Sequence, residues 1–377
     1  MKSDESPGGR HLREQRRAAA DLGAAPVIID TDIGGDPDDA LAVAAAARTL
    51  PRLALVITSD ETGSTFGPGQ RARFARVLLD ALGRAEVAVV EGCSVGDTRY
   101  YCVDGLVPDE VGRQPTDVVD AVRAVCEQAS GPVCWVGMGP LSNLARIVEH
   151  APDLLPRLRV TQMAGALAYR HPDRAEHNIR LDVPAARTVL DAVADRRLAV
   201  PQFVISDVTW NQQIAVDAQS RIYRALTASG APLWATLVAR HLDRWFERFH
   251  PESLQHDALT LSAVLDLPYV TSGPVRVVMD EIGRMRRGRE QEGVSLRLSV
   301  SARYRPFMRW LIRTVERTSA LSTSPWPRPG RAVTVVCDPE RPHGTAECAG
   351  VRLAMLVFGP LVVVLGVIMV YRAGPAL

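Results

Sequence analysis

Between Val27 and Ala44 the chain runs from a short apolar stretch, Val27-Ile28-Ile29, through Asp30-Thr31-Asp32-Ile33-Gly34-Gly35-Asp36-Pro37-Asp38-Asp39 into an alanine-rich helix. Five carboxylates in ten residues cannot converge without compensation, because packed together they repel and some must take up protons. A hard divalent cation with oxygen ligands removes the conflict, and Ca²⁺ or Mg²⁺ suits an all-carboxylate set better than zinc does. The order strand, acidic loop, helix puts this demand at the end of a buried strand, where open α/β sheets gather their functional groups.

The same alternation continues along the chain. Val27–Asp30, Leu53–Thr58, Val87–Glu91, Val133–Gly137, Val160–Met163 and Phe203–Asp207 read as strands, while Arg71–Leu82, Thr116–Gln128, Leu141–Glu149 and Pro184–Ala194 carry helical spacing. Short buried strands separated by helices predict an α/β fold: an open, mostly parallel β-sheet flanked by helices on both faces. No short internal repeat interrupts the pattern.

Charge narrows the chemistry. Lysine and arginine number 44 against 43 acidic residues, and the only lysine is Lys2. A Walker lysine, a Schiff-base lysine and the protein-kinase set are therefore excluded from any folded part. The balanced total also argues against nucleic acid as a partner, since such proteins carry a basic surplus. Six cysteines are too few and scattered for a disulfide framework, and Cys93, Cys102, Cys126 and Cys134 read as small apolar residues. Cys337, His343 and Cys348 lack the paired spacing of a metal site.

The chain ends differ from its middle. Residues 1–25 read as a disordered polar tail without the apolar core of a signal peptide. Residues 319–350 are a proline-rich linker. Leu353 to Tyr371 is a run of nineteen uncharged residues between Arg352 and Arg372, enough to cross a bilayer as a helix. The expectation is thus a catalytic domain at 26–318, tethered to a membrane by a C-terminal helix at 351–372 and facing the cytoplasm. The alternative is a soluble cytoplasmic protein, and a homo-oligomer is left open.

Five segments in order resemble the inosine-uridine type nucleoside hydrolases across most of residues 26–318. Asp30-Thr31-Asp32 with Gly34 and Asp38-Asp39 is similar to that family's N-terminal D-x-D signature, with two more residues before the Asp pair. Met138-Gly139-Pro140-Leu141-Ser142-Asn143, Glu176-His177-Asn178 with Asp182, Asp207-Val208-Thr209 and His256-Asp257-Ala258-Leu259 resemble the later motifs. The resemblance implies hydrolysis of the N-glycosidic bond of ribonucleosides, with a nucleoside as the partner in the site. It implies Ca²⁺ held by Asp32, Asp39, Asp257 and the Met138 carbonyl, binding the ribose diol and the attacking water. Asp32 would take the proton from that water, Asp38 would bind a ribose hydroxyl, Glu176 and Asn178 would orient the sugar, and His256 would protonate the leaving base.

The chain also departs from the family. Thr58-Ser59-Asp60-Glu61-Thr62 lacks the usual Asn near the second strand, leaving Asp60 or Glu61 to replace it or to sit in a solvated loop. The stretch Gly165–Arg170 lacks the second Asn, and His177 stands where an aromatic residue is common. Two rival readings follow. One is a membrane-tethered nucleoside- or ribose-binding protein with little turnover. The other is a D-x-D phosphatase using Mg²⁺, which the missing lysine disfavours.

Overall fold

The computed structural model describes residues 25–62, 66–96, 100–265 and 267–317. Its first strand, β1 (Val27–Thr31), is buried along its whole length. Val27 and Ile29 pack into one apolar cluster and Ile28 into another, so both faces of the strand are covered. Continuous apolar runs of this kind belong at the centre of a parallel sheet.

The sheet has nine strands in the order β10-β9-β11-β6-β5-β4-β1-β2-β3. Six of its pairings are parallel, joining β2 (Leu53–Asp60), β3 (Ala88–Ser94), β4 (Val133–Gly137), β5 (Leu158–Met163) and β6 (Gln202–Val204) to β1 and to β11 (Val294–Ala302). One edge is antiparallel, with β9 (Val270–Met279) pairing β10 (Met285–Arg287) and β11. A separate antiparallel ribbon joins β7 (Ala215–Asp217) to β8 (Glu252–Leu254).

The chain moves from β1 outward to β2 and β3, then returns to β4 on the other side of β1. The crevice beyond the carboxyl ends of β1 and β4 is therefore the point where strand order reverses, and open sheets bind ligands there. The expected strand at Phe203–Asp207 ends at Val204. Ile205 N–H donates to Ser299 Oγ at 2.9 Å, and Val208 and Thr209 N–H turn back to the Ile205 carbonyl.

The expected fold class needs one correction. The α/β sheet is present, but among the described residues no helix is long and apolar enough to cross a membrane. The segment 351–372 lies outside the described residues, as do residues 1–24, the linker 319–350 and Cys337, His343 and Cys348. An uncharged run satisfies the length requirement for a span without showing a helix, so the transmembrane helix and the single-pass localisation are withdrawn.

Candidate active site

The loop after β1 supplies most of the site. Gly34, at φ +113°, takes a backbone conformation that side chains rarely adopt, and its carbonyl accepts the Cys102 N–H at 2.8 Å. Buried Arg71 fastens the same loop by donating to the carbonyls of Asp32 and Ile33, and to that of Tyr100 at 2.9 Å. The helix Asp38–Thr49 then begins with Asp38 and Asp39 in its first turn, where unsatisfied N–H groups favour negative charge.

Asp32, Asp39 and Asp257 each present an oxygen within 4.8 Å of the others. Asp257 sits in the first turn of the helix His256–Val264 after β8, and its N–H donates to Asp38 Oδ2 at 3.3 Å. Burial, reinforced by neighbouring carboxylates, raises Asp32, Asp38 and Asp257 well above the usual carboxylate range. Burial also lifts Asp36 to about 7 and Asp39 to about 6, although hydrogen bonds from Ser253 and Thr31 oppose it. Oxygen ligands in this number, with too few cations among them, fit a hard divalent ion.

Asp30 has another task. It is fully buried, accepts from Asn143 Nδ2 at 2.7 Å, and is pushed by burial to about 7. Asn143 also donates to Ser59 Oγ at 3.0 Å and accepts the Cys93 N–H at 2.8 Å, tying together the ends of β1, β2, β3 and β4.

The opposite wall comes from the loop after β5. Glu176 caps the short helix His177–Leu181 through the N–H groups of Asn178 and Ile179, and accepts the Gly165 N–H at 2.8 Å. Asn178 Nδ2 donates to the carbonyls of Met138 and Met163 at 2.8 and 2.9 Å, which leaves its Oδ1 for a ligand. Asp207 holds the start of this loop by accepting the N–H groups of Leu167 and Ala168, both at 2.9 Å. His256 Nδ1 lies 2.7 Å from Thr209 Oγ1, and its ring stacks on Trp210 with centroids 6.0 Å apart. Burial lowers its pKa to about 3, so the imidazole is neutral at pH 7.

Asp32, Asp38, Asp39, Met138, Glu176, Asn178, His256 and Asp257 thus all border one cavity of about 320 Å³. Two residues and one pairing were not evident in the sequence. Arg71 looked like an ordinary helix residue, and Trp210 carried no motif. The pair of Glu61 with His177, 3.4 Å apart, joins loops separated by 116 positions. Of the two acids at the end of β2, Glu61 is the one bordering the cavity, whereas Asp60 accepts the N–H and hydroxyl of Thr62 at 2.9 and 2.8 Å. Burial would raise Glu61, but His177, Asp32 and Arg71 together hold it below the usual carboxylate range.

A largely parallel sheet with buried carboxylates at its switch point defines an open α/β protein built around an oxygen-rich site. Comparison with known proteins gives the family. The model of the inosine-uridine preferring nucleoside hydrolases matches residues 27–309, and the chain belongs to that family as a ribonucleoside hydrolase. The pyrimidine-specific ribonucleoside hydrolase RihA of Escherichia coli K12 is 27% identical over 286 residues, covering 70% of this chain and 87% of its own. Among solved structures, the plant nucleoside hydrolase PpNRh1 superposes with a TM-score of 0.63 at 21% identity, covering 78% of this chain and 99% of its own. An inosine-uridine preferring nucleoside hydrolase from Bacillus anthracis gives 0.60 at 16%, covering 78% and 99%.

Proposed function

We propose that the protein cleaves the N-glycosidic bond of ribonucleosides to free base and ribose, with Ca²⁺ held by Asp32, Asp39, Asp257 and the Met138 carbonyl. The convergence of three mutually repelling carboxylates within 4.8 Å carries this reading. When bound, the ion compensates their charge, engages the ribose diol and makes a water easier to deprotonate. The catalytic domain is taken as residues 26–318, between a tail at 1–25 and a linker at 319–350.

The chain's own groups divide the remaining work. Asp32 faces the cavity and takes the proton of the attacking water. Asp38 accepts a ribose hydroxyl, and Asn178 Oδ1 and Glu176 orient the sugar from the opposite wall. As the C1′–N bond lengthens, positive charge grows on the ribosyl ring, and the surrounding carboxylates stabilise it more than they stabilise the neutral substrate. His256, neutral and stacked on Trp210, serves the departing base. With Thr209 Oγ1–H donating to Nδ1, the Nε2–H is directed to the base as a hydrogen-bond donor.

The test is direct. The full-length chain is incubated with a panel of purine and pyrimidine nucleosides, with Ca²⁺ or with chelator, and free base and ribose are measured. Release that requires Ca²⁺ supports the reading. A folded, Ca²⁺-supplied protein that releases base from none of them overturns it in favour of a nucleoside-binding protein.

A further inference from the structure

We propose that Arg170 reads the far edge of the departing base, so that the cavity prefers ribonucleosides of the oxo bases uracil, hypoxanthine and guanine over those of the amino bases cytosine and adenine. This deepens the N-ribohydrolase reading and rests on it. The acidic floor of the cavity holds Asp32, Asp38, Asp39 and Asp257, and Arg170 stands at its rim with Trp210 and His256 lining the space between.

One short segment, Ser206 to Trp210, organises this end of the cavity. Ser206 N–H donates to the Gly165 carbonyl at 2.9 Å, and the Asp207 carboxylate accepts the N–H groups of Leu167 and Ala168, both at 2.9 Å. These bonds fix the backbone just before Arg170. Two residues after Asp207, Thr209 Oγ1 lies 2.7 Å from His256 Nδ1 and orients the histidine. Trp210 then meets both groups. The His256 ring stacks on it with centroids 6.0 Å apart, and the Arg170 guanidinium carbon sits 3.7 Å from its centroid.

Depth decides which part of a base each donor meets. His256 is half-buried and adjoins Asp257 of the floor, which places it near C1′ when the ribose diol faces that floor. Arg170 and Trp210 are exposed, Trp210 by 49%, at the mouth. A base extending from C1′ towards the mouth turns its remote edge to Arg170. That edge carries O4 in uridine and O6 in inosine and guanosine, but an amino group in cytidine and adenosine. A guanidinium offers N–H donors and no acceptor, and contact with the Trp210 and Tyr169 rings restrains it while leaving donors for a ligand. It matches a carbonyl and meets an amino group donor to donor.

The same contact serves bond cleavage. Water adds its oxygen to C1′, one water proton passes to Asp32, and the electron pair of the C1′–N bond goes to the base. In an oxo base that charge spreads onto carbonyl oxygen, where the fixed positive charge of Arg170 stabilises it. The guanidinium keeps its protons throughout, and the base gains its proton on the freed nitrogen, through His256 from solvent.

Full-length protein with Ca²⁺ is assayed on inosine against adenosine and on uridine against cytidine, following base release. The expected kcat/KM favours the oxo member of each pair by about tenfold or more, and Arg170→Gln should cut that ratio by about tenfold, with circular dichroism checking the fold. Equal or faster turnover of the amino nucleosides overturns the inference and leaves the hydrolase reading standing. So does a ratio that Arg170→Gln leaves unchanged, including a loss of both members of a pair by the same factor. Calorimetric binding of inosine and adenosine separates the two readings. If nothing is cleaved, the hydrolase reading falls, and the base subsite stands only if inosine binds tighter than adenosine and Arg170→Gln removes the difference.

Discussion

Removing the divalent ion should turn the carboxylate cluster into a pH-dependent weakness, and the sign and window follow from the site. Asp30 and Asp36 are raised from 3.8 to about 7, and Asp32, Asp38 and Asp257 lie well above their usual value. A carboxyl raised in the folded state binds more protons there than in the unfolded chain. Its stabilising contribution is complete below about pH 4 and is lost as pH rises through the folded value. Two buried histidines act oppositely, since burial lowers His241 and His256 to about 3. Their contribution grows with pH up to about 6.5, where the unfolded histidine also becomes neutral.

Above pH 6.5 the carboxyl effect is therefore left without that opposition, and the raised pKa of His177, which Glu61 brings about against burial, acts in the same direction. Between pH 6.5 and 8, Asp30 and Asp36 give up about 1 kcal/mol each, and any carboxyl still protonated at pH 8 gives up about 2 kcal/mol. Coupling within the cluster makes the sum smaller than the parts, so the loss is on the order of 2–4 kcal/mol. That corresponds to a fall in Tm of about 5–10 °C for a domain of this size. The assay is thermal unfolding of chelated protein at half-unit pH steps, repeated with saturating Ca²⁺. The chelated Tm should fall across the window, and the increment from Ca²⁺ should grow with pH as the ion replaces protons. A chelated Tm that is flat or rising from pH 6.5 to 8 would refute the reasoning.

Other substitutions separate the roles. Asp32→Asn should lower kcat on the order of 10³-fold while relieving repulsion, so that chelated protein is no less stable and stabilisation by Ca²⁺ largely disappears in thermal melts. His256→Ala should lower kcat/KM for nucleosides on the order of 10²-fold but change hydrolysis of 4-nitrophenyl riboside, whose leaving group needs no proton, only a few-fold. Equal losses on both substrates would remove His256 from leaving-group chemistry. Asn143→Leu deprives buried Asp30 and the Cys93 N–H of their partner and should cost about 3 kcal/mol in denaturant unfolding.

The central strands were legible because parallel strands covered on both faces are written as unbroken apolar runs, as Val27-Ile28-Ile29 and Val133–Gly137 are. The antiparallel edge was not. β9 carries Gly273, Pro274 and Arg276 and is only half-buried, so neither a run nor a clean alternation marks it. Within the site, the acidic loop announced its demand for compensation but not how its members divide. Asp30 shares the strand face of Ile28 and points to Asn143, whereas Asp32 lies beyond the strand end and faces the cavity. The link between Glu61 and His177 depends on strand order, which decides that the loops after β2 and β5 reach one crevice. The most misleading signal was the near-zero net charge. A sum over the chain removes spatial information, and here an acidic floor and a basic rim within one cavity contribute opposite signs to it. The same balance that argues against a nucleic-acid surface also conceals a cavity whose carboxylates favour positive character developing at C1′.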